Sequence, residues 1–281
     1  VVKIRIDRRT MSVRHWPGMR SEYSWLPADG GVSTTKPHQV GVSFSAHPRL
    51  VHELAGQARY LAVPAGAVFV TGPERMRWSE VREPAEALEI YPDLSLLLDG
   101  TTVPGPVEIE AATAAHDATV LGVAAVLRRA HLGDLTLDEL QASTLTHRLT
   151  DHLVDHYGRS SPRRSRHRPR PGRLDRRLLD RVARFVEDHL SEPLLLDDLA
   201  REARLSPYHF ARSFKASTGL APHEFVTMRR LDRAKTLLLS TRHSVPDIAY
   251  EVGYRNLSHF RRLFRRHTGL PPSDLRPPPS R

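Results

Sequence analysis

The chain has 281 residues, with 42 Lys and Arg against 32 Asp and Glu and a formal net charge of +10; at about 150 residues per domain, that length predicts two domains and room for a core. Cysteine is absent, which excludes disulfide scaffolds, zinc fingers, thiol catalysis and iron–sulfur clusters. The longest apolar run, Val120 to Leu127, falls far short of the roughly 20 residues of a membrane helix, so no membrane partner is expected and the chain reads as cytoplasmic.

Lys3, Lys36, Lys215 and Lys235 are the only lysines, so the basic side is almost all arginine. Arginine offers a planar fork of donors suited to phosphates and guanine edges, although a GC-rich genome enriches it too. Its distribution separates these readings. Residues 1–157 carry a net charge of −4, residues 158–173 carry +7, and residues 174–281 carry +7. Genome composition alone would spread the charge more evenly, which makes the back of the chain the polyanion-binding part.

In chain order, Val1-Val-Lys-Ile-Arg-Ile6 alternates like a strand. Val40–Ser45, Tyr60–Val63, Ala67–Val70 and Ala87–Tyr91 read as further short strands separated by turns such as Pro64-Ala-Gly66, the pattern of a small barrel or jelly roll over residues 1–111. Residues 112–157 read as helical, with Leu121, Leu127, Leu132, Leu137, Leu140, Leu145, Leu149 and Leu153 among the apolar steps. They are expected either to pair two chains as a homodimer or to cover the open face of the barrel. His152 and His156, four apart, read as a solvated helix face. Residues 158–173 hold seven arginines and nothing apolar to bury, which reads as a linker: either a solvated spacer or a basic tether that adds salt-sensitive attraction to phosphates.

Residues 174–281 are helical throughout. Leu178, Leu179, Val182, Phe185, Val186 and Leu190 form one apolar stripe, and a second helix begins near Leu196 with Leu196, Leu199 and Ala200 inward. Then the sequence repeats. Asp198-Leu-Ala200 recurs 49 residues later as Asp247-Ile-Ala249; Phe210, Phe214, Thr218, Gly219, Leu220 and Pro222 recur 50 residues later as Phe260, Phe264, Thr268, Gly269, Leu270 and Pro272. Two helix-turn-helix units of one plan, with one extra residue in the second turn, explain the shift. Ser206 and Asn256 are positioned to cap the second helix of each unit, with Pro207 at the first helical position. Opposite the buried phenylalanines lie Tyr208, Ala211, Arg212 and Lys215 in one unit and Ser258, Arg261, Arg262 and Arg265 in the other. A stripe of this chemistry is suited to a major groove, with His209 and His259 beside it and the capped helix ends at Ser206 and Asn256 available to phosphates. A helix from Pro222 to Ser240 joins the units. At ~1.5 Å per residue it spans about 28 Å, close to the roughly 34 Å between successive major grooves on one side of B-DNA, so one chain is expected to reach two adjacent grooves of double-stranded DNA.

The stretches Arg229-Arg-Leu-Asp-Arg-Ala-Lys-Thr-Leu-Leu238, Asp247-Ile-Ala-Tyr-Glu-Val-Gly-Tyr254 and Ser258-His-Phe-Arg-Arg-Leu-Phe264, with Thr268-Gly269, make residues 178–276 resemble the DNA-binding domain of the AraC/XylS family of bacterial transcription regulators. The resemblance implies DNA reading from Tyr208, Ala211 and Arg212 in the first unit and from Ser258 and Arg262 in the second. It also implies RNA polymerase as a partner and an effector acting on the front half. Two positions depart from the pattern: Ala211 offers only a methyl group, and Leu275 stands where the family usually has an aromatic residue. The front half is similar in pattern and order to the cupin-like sensor domains that precede this module, but His38, His47 and His52 lack the spacing of a cupin metal site, and no metal or cofactor is expected.

No phosphate-cradling loop, nucleophile elbow or H-E-x-x-H motif is present, so the chain is not expected to be an enzyme. A DNA-repair alkyltransferase with the same module would need acceptor cysteines. The expected function is a sequence-specific transcription regulator. The expected architecture is a cupin-like β barrel with trailing helices, followed by an all-α domain of two helix-turn-helix units. The alternatives are an architectural DNA binder of low specificity and, more distantly, a cupin-type metal enzyme fused to a DNA-binding module.

Overall fold

A computed structural model of the chain describes residues 10–26, 33–54, 57–75, 77–79, 85–93, 108–158 and 172–275. It divides into two compact units, Val1–Arg168 and Pro169–Arg281, and the division falls inside the Arg/Pro stretch 158–173. Most of that stretch, and the strand expected at Val1–Ile6, lie outside the described residues.

The first unit begins with the hairpin β1 (Thr10–Trp16) and β2 (Met19–Leu26), followed by β3 (Ser33–Thr34), β4 (Val40–Ser43), β5 (His47–Leu54), β6 (Gln57–Val63), β7 (Ala67–Val70), β8 (Arg77–Ser79), β9 (Ala85–Pro92) and β10 (Ala112–Ala115). These strands make two antiparallel sheets, ordered β1-β2-β9-β4-β7-β10 and β3-β8-β5-β6. Among the described residues the sheets remain open and do not close into one barrel. The strands expected at residues 40, 60, 67 and 87 all form. β4 is buried along its whole length between β9 and β7.

Residues 112–157 are not helical throughout. Ala112–Ala115 pairs with β7 through Ala112↔Val70 and Ala115↔Val68. Helix formation waits for Asp117, whose carboxylate accepts from the Thr119 and Val120 amides, both at 3.0 Å, and so sets the first turn. Helices α1 (Ala118–His131) and α2 (Glu139–Tyr157) follow. Their leucines cover the unit's own sheet: Leu121, Leu127, Leu145, Leu149 and Leu153 are buried, whereas Leu140 is 78% exposed. His152 is not on a solvated face. It is buried, with Nε2 2.6 Å from Asp117 Oδ2, and the Tyr157 hydroxyl donates to the same oxygen at 2.9 Å. Burial works to raise the Asp117 carboxyl, but the His152 imidazole and the hydrogen bonds it receives override this and hold it well below the usual carboxylate range.

Helix α1 is anchored to the larger sheet by a buried ion pair. Arg128, 1% exposed, donates to Glu86 Oε1 at 2.6 Å and Oε2 at 2.7 Å. Tyr23 donates to the same carboxylate at 2.8 Å, and the guanidinium lies 4.4 Å from the Phe44 ring centroid. The second unit is all α: α3 (Arg176–Asp188), α4 (Leu196–Glu202), α5 (Pro207–Thr218), α6 (Pro222–Ser240), α7 (Val245–Glu251) and α8 (Leu257–Thr268), closed by a short turn at Pro272–Asp274. Among the described residues no helix is long and apolar enough to cross a membrane, and no group of three His, Asp or Glu could hold a metal.

Removing one partner of a buried ion pair strands the other charge. Arg128→Leu is therefore expected to destabilise the first unit by about 3–5 kcal/mol, and adding Glu86→Gln should recover most of the loss. Urea unfolding followed by tryptophan fluorescence tests this directly, because the chain's three tryptophans, Trp16, Trp25 and Trp78, all lie in that unit.

Candidate nucleic-acid interface

The repeat read in the sequence returns as matching contacts in the two units. Phe210 and Phe214 have ring centroids 5.4 Å apart, and Phe260 and Phe264 are 5.5 Å apart. Thr218 donates to the Phe214 carbonyl at 2.9 Å and accepts from the Leu220 amide at 3.2 Å; Thr268 makes the same two bonds, to Phe264 and Leu270, at the same distances. Gly219 and Gly269 end the helices at φ 87° and 77°, the left-handed cap that glycine adopts without a Cβ penalty.

The turns show where the extra residue sits. Leu205 donates to the Ala200 carbonyl at 3.0 Å, and Tyr254 donates to Ala249 at 2.8 Å, still at an offset of 49. The caps Ser206 and Asn256 stand at an offset of 50, so Arg255 is the insertion. The preceding left-handed position is Arg204 (φ 54°) in one turn and Gly253 (φ 85°) in the other. A Cβ at residue 253 would stand 2.8 Å from the Leu190 carbonyl oxygen and 3.0 Å from Arg230 Cζ.

The helix ends differ electrostatically. In α4 and α7 an acid occupies the first turn and takes the cap amide: Asp198 accepts from Leu195 at 3.0 Å and Asp247 from Ser244 at 3.2 Å. Those bonds, from the Leu195 amide in one case and the Ser244 hydroxyl and amide in the other, hold both carboxyls below their ordinary range. α5 and α8 have no acid in the first turn, so their positive ends remain open to an anion. Ser206 Oγ accepts from the His209 amide at 3.4 Å, and Asn256 Oδ1 from the His259 amide at 2.9 Å.

Tyr208 (70% exposed), His209, Arg212 and Lys215 are exposed on α5, as are Ser258, His259, Arg261, Arg262 and Arg265 on α8. Ala211 is only half-exposed, on the flank of the stripe, and Leu196, expected inward, is 40% exposed. In a seven-residue helix Leu199 and Ala200 suffice for the buried face, and Leu196 belongs to the first turn. The sequence reading left out Arg204 and Arg255, exposed cations at the two turns; the change of register from 49 to 50 was the signal for the second. It also left open what the histidines do. Ser206 Oγ lies 2.8 Å from His209 Nδ1, leaving Arg212 without that ring as a partner. In the second unit Asn256 caps with a carbonyl oxygen, and Arg262 Nη2 donates to His259 Nδ1 at 3.0 Å.

Helix α6 holds both units. Phe225, Met228, Leu231, Ala234, Leu237 and Leu238 are buried. From the same helix Arg229 pairs with Glu187 of α3, and Asp232, fully buried, accepts from His267 Nε2 of α8 at 2.7 Å.

Residues 199–277 match the family model described as a helix-turn-helix domain. The HTH-type transcriptional activator RhaS of Salmonella arizonae is 36% identical over 98 residues, 35% of this chain and 35% of that protein, and RhaS of Salmonella newport matches equally. The match thus spans about a third of the length of these curated relatives. Among solved structures, a transcriptional regulator of Chromobacterium violaceum with an AraC-type DNA-binding domain is 30% identical over 36% of this chain and 89% of that one, with a TM-score of 0.35. The DNA-binding domain of the global transcriptional factor AdpA, in complex with a target DNA, is 32% identical over 34% of this chain and 86% of that one, with a TM-score of 0.33. Family match and geometry together define the second unit as a DNA-binding double helix-turn-helix domain. This unit, and not the chain as a whole, carries the match to AraC/XylS-type regulators.

Gly253→Ala should destabilise this unit by about 2 kcal/mol, because the left-handed backbone and the close approach to Leu190 add; thermal unfolding of the helical circular dichroism signal measures it.

Proposed function

We propose that the chain is a sequence-specific transcription regulator that places α5 and α8 in two adjacent major grooves of double-stranded DNA. The observation that carries this is the matched pair of exposed polar stripes on α5 and α8, held by one 19-residue helix. In this reading Arg212 and Arg262 take guanine edges. Tyr208, Lys215, Ser258, Arg261 and Arg265 add base or phosphate contacts, Ala211 meets at most a thymine methyl, and the open ends at Ser206 and Asn256 hold phosphates. His259 acts as a positioning residue for Arg262.

The cupin-like residues 1–111 are proposed to receive an effector, residues 112–157 to pair two chains, and 158–173 to tether the DNA-binding domain, with RNA polymerase as the downstream partner. Because most α1 and α2 leucines are buried within the unit, pairing through residues 112–157 would use the outer face of α2 around Leu140, which is 78% exposed. A light-scattering mass of 31.7 kDa, rather than twice that, would remove the dimer.

Selection from random double-stranded DNA at physiological salt is expected to enrich a motif of two blocks about one helical turn apart. A flat pool with tight, salt-sensitive binding overturns the proposal in favour of an architectural binder. On the selected site, Arg262→Ala should cost about 1–3 kcal/mol at one base position, whereas Lys215→Ala should weaken all sequences alike and reduce the salt slope by about 1. His259→Ala should lose part of the Arg262 discrimination, about 1 kcal/mol, with the salt slope unchanged. Competition binding against single-base variants at several salt concentrations separates the three.

A further inference from the structure

We infer that the cavity between the two sheets of the first unit binds a short-chain primary aliphatic amine, whose ammonium group is held by Glu89. This rests on the reading of that unit as the sensing part of a regulator and names the class of effector.

The cavity has a volume of about 100 Å³ and draws its walls from both sheets: Val42 and Phe69 on one side, Leu50 and Val63 on the other, with Gln39 and Glu89 at its polar end. An apolar cavity of about 150 Å³ accommodates benzene, so this one suits an aliphatic body of roughly four or five non-hydrogen atoms. The polar end fixes the head group. Glu89 accepts from the Gln39 side-chain amide, which is its one hydrogen-bond partner among the described residues. An amide does not neutralise a carboxylate. Gly41, on the adjacent strand β4, keeps the space next to this carboxyl clear: a Cβ there would stand 2.9 Å from Glu89 Oε2.

The charged and titratable groups around Glu89 leave the cation to be supplied from outside. Glu22 faces it from β2 in register and is itself paired with Arg20 at 2.8 Å. It also accepts from the Tyr91 hydroxyl at 3.2 Å, while Arg20 and Lys36 lie over the Tyr91 ring at 4.3 and 4.9 Å from its centroid. Across the cavity His47 on β5 has its Nε2 3.2 Å from Ser43 Oγ. Burial, with the nearby Glu22 charge acting in the same direction against the Gln39 hydrogen bond, pushes the Glu89 carboxyl up to about 7. An ammonium ion entering the cavity provides the missing counter-charge and takes a charge-assisted hydrogen bond. A neutral alcohol of the same shape gains neither, and a carboxylate is repelled.

Because the ammonium ion pairs with ionised Glu89, binding below that pKa releases the Glu89 proton. The ionised fraction rises from about one tenth at pH 6 to about nine tenths at pH 8, so the apparent affinity should rise about tenfold. The test titrates the full chain with isobutylamine, isobutanol and isobutyrate at both pH values, read by calorimetry and by the tryptophans of the first unit. Saturable binding of isobutylamine alone, about tenfold tighter at pH 8, is expected. Glu89→Gln should abolish it with the unfolding temperature retained, and Gly41→Ala should weaken it. Equal binding of isobutanol, wild-type affinity in Glu89→Gln, or no amine binding at pH 8 overturns the inference. The DNA selection on the same preparation separates the two readings. An enriched motif without amine binding sinks only this site, whereas amine binding with a flat DNA pool sinks only the regulator.

Discussion

The second unit depends on one helix having to serve two partners. α6 buries Phe225, Met228, Leu231, Ala234, Leu237 and Leu238, a stripe too long for a single helix-turn-helix unit to cover. It therefore needs a unit toward each end. The buried charges add direction to that apolar contact. Asp232 is held by His267 from α8, and Arg229 by Glu187 from α3. A charge on α6 that lost its partner on α3 or α8 would remain buried with less compensation, even though Arg229 and Asp232 also face each other at 3.8 Å, so these pairs help to specify how the neighbouring helices dock. A helix also sets distance rigidly: each residue advances it by ~1.5 Å and turns it by about 100°. One residue inserted into α6 would thus rotate the second reading helix away from the first far more than it would separate them.

Two glutamates on β9 show how neighbours decide what a carboxylate does. Glu86 and Glu89 are three residues apart and so point to opposite faces of the strand. Glu86 meets the buried Arg128 guanidinium and the Tyr23 hydroxyl and is fully committed to anchoring α1. Glu89 meets a neutral amide and faces a cavity. The first has its counter-charge built in, and the second is left to acquire one.

The two helix-turn-helix units share a plan but not a mechanism at the histidine. His209 and His259 occupy the same position, yet the cap before each selects its partner. A serine hydroxyl approaches its own histidine ring, whereas an asparagine that caps through a carbonyl oxygen leaves the ring to accept from arginine. Arg262 is accordingly held by a ring nitrogen and Arg212 is not; under the proposed DNA reading, the second unit would lose less side-chain entropy per contact. The insertion of Arg255 and the glycine at 253 belong to the same unit, which packs its turn closely against the Leu190 carbonyl.

What the sequence determined by itself was everything local or repeated. Pro222 and Ser240 bound α6 as read, Ser206 and Asn256 cap as read, and Gly219 and Gly269 adopt the left-handed ends as read, because caps, prolines and helical period act over a few residues. The recurrence of Phe210 and Phe214 as Phe260 and Phe264 made the duplicated domain legible without any fold. Tertiary structure alone decided whatever depends on a partner far along the chain. Ala112–Ala115 pairs with β7, about 45 residues away, and His152 leaves its apparently solvated face for Asp117, 35 residues before it. The leucines of α2 looked available for another chain until the sheet beneath them was in place. The cavity holding Glu89 has no trace in any local pattern, since it exists only where two sheets, each held by hydrogen bonds of its own, face one another.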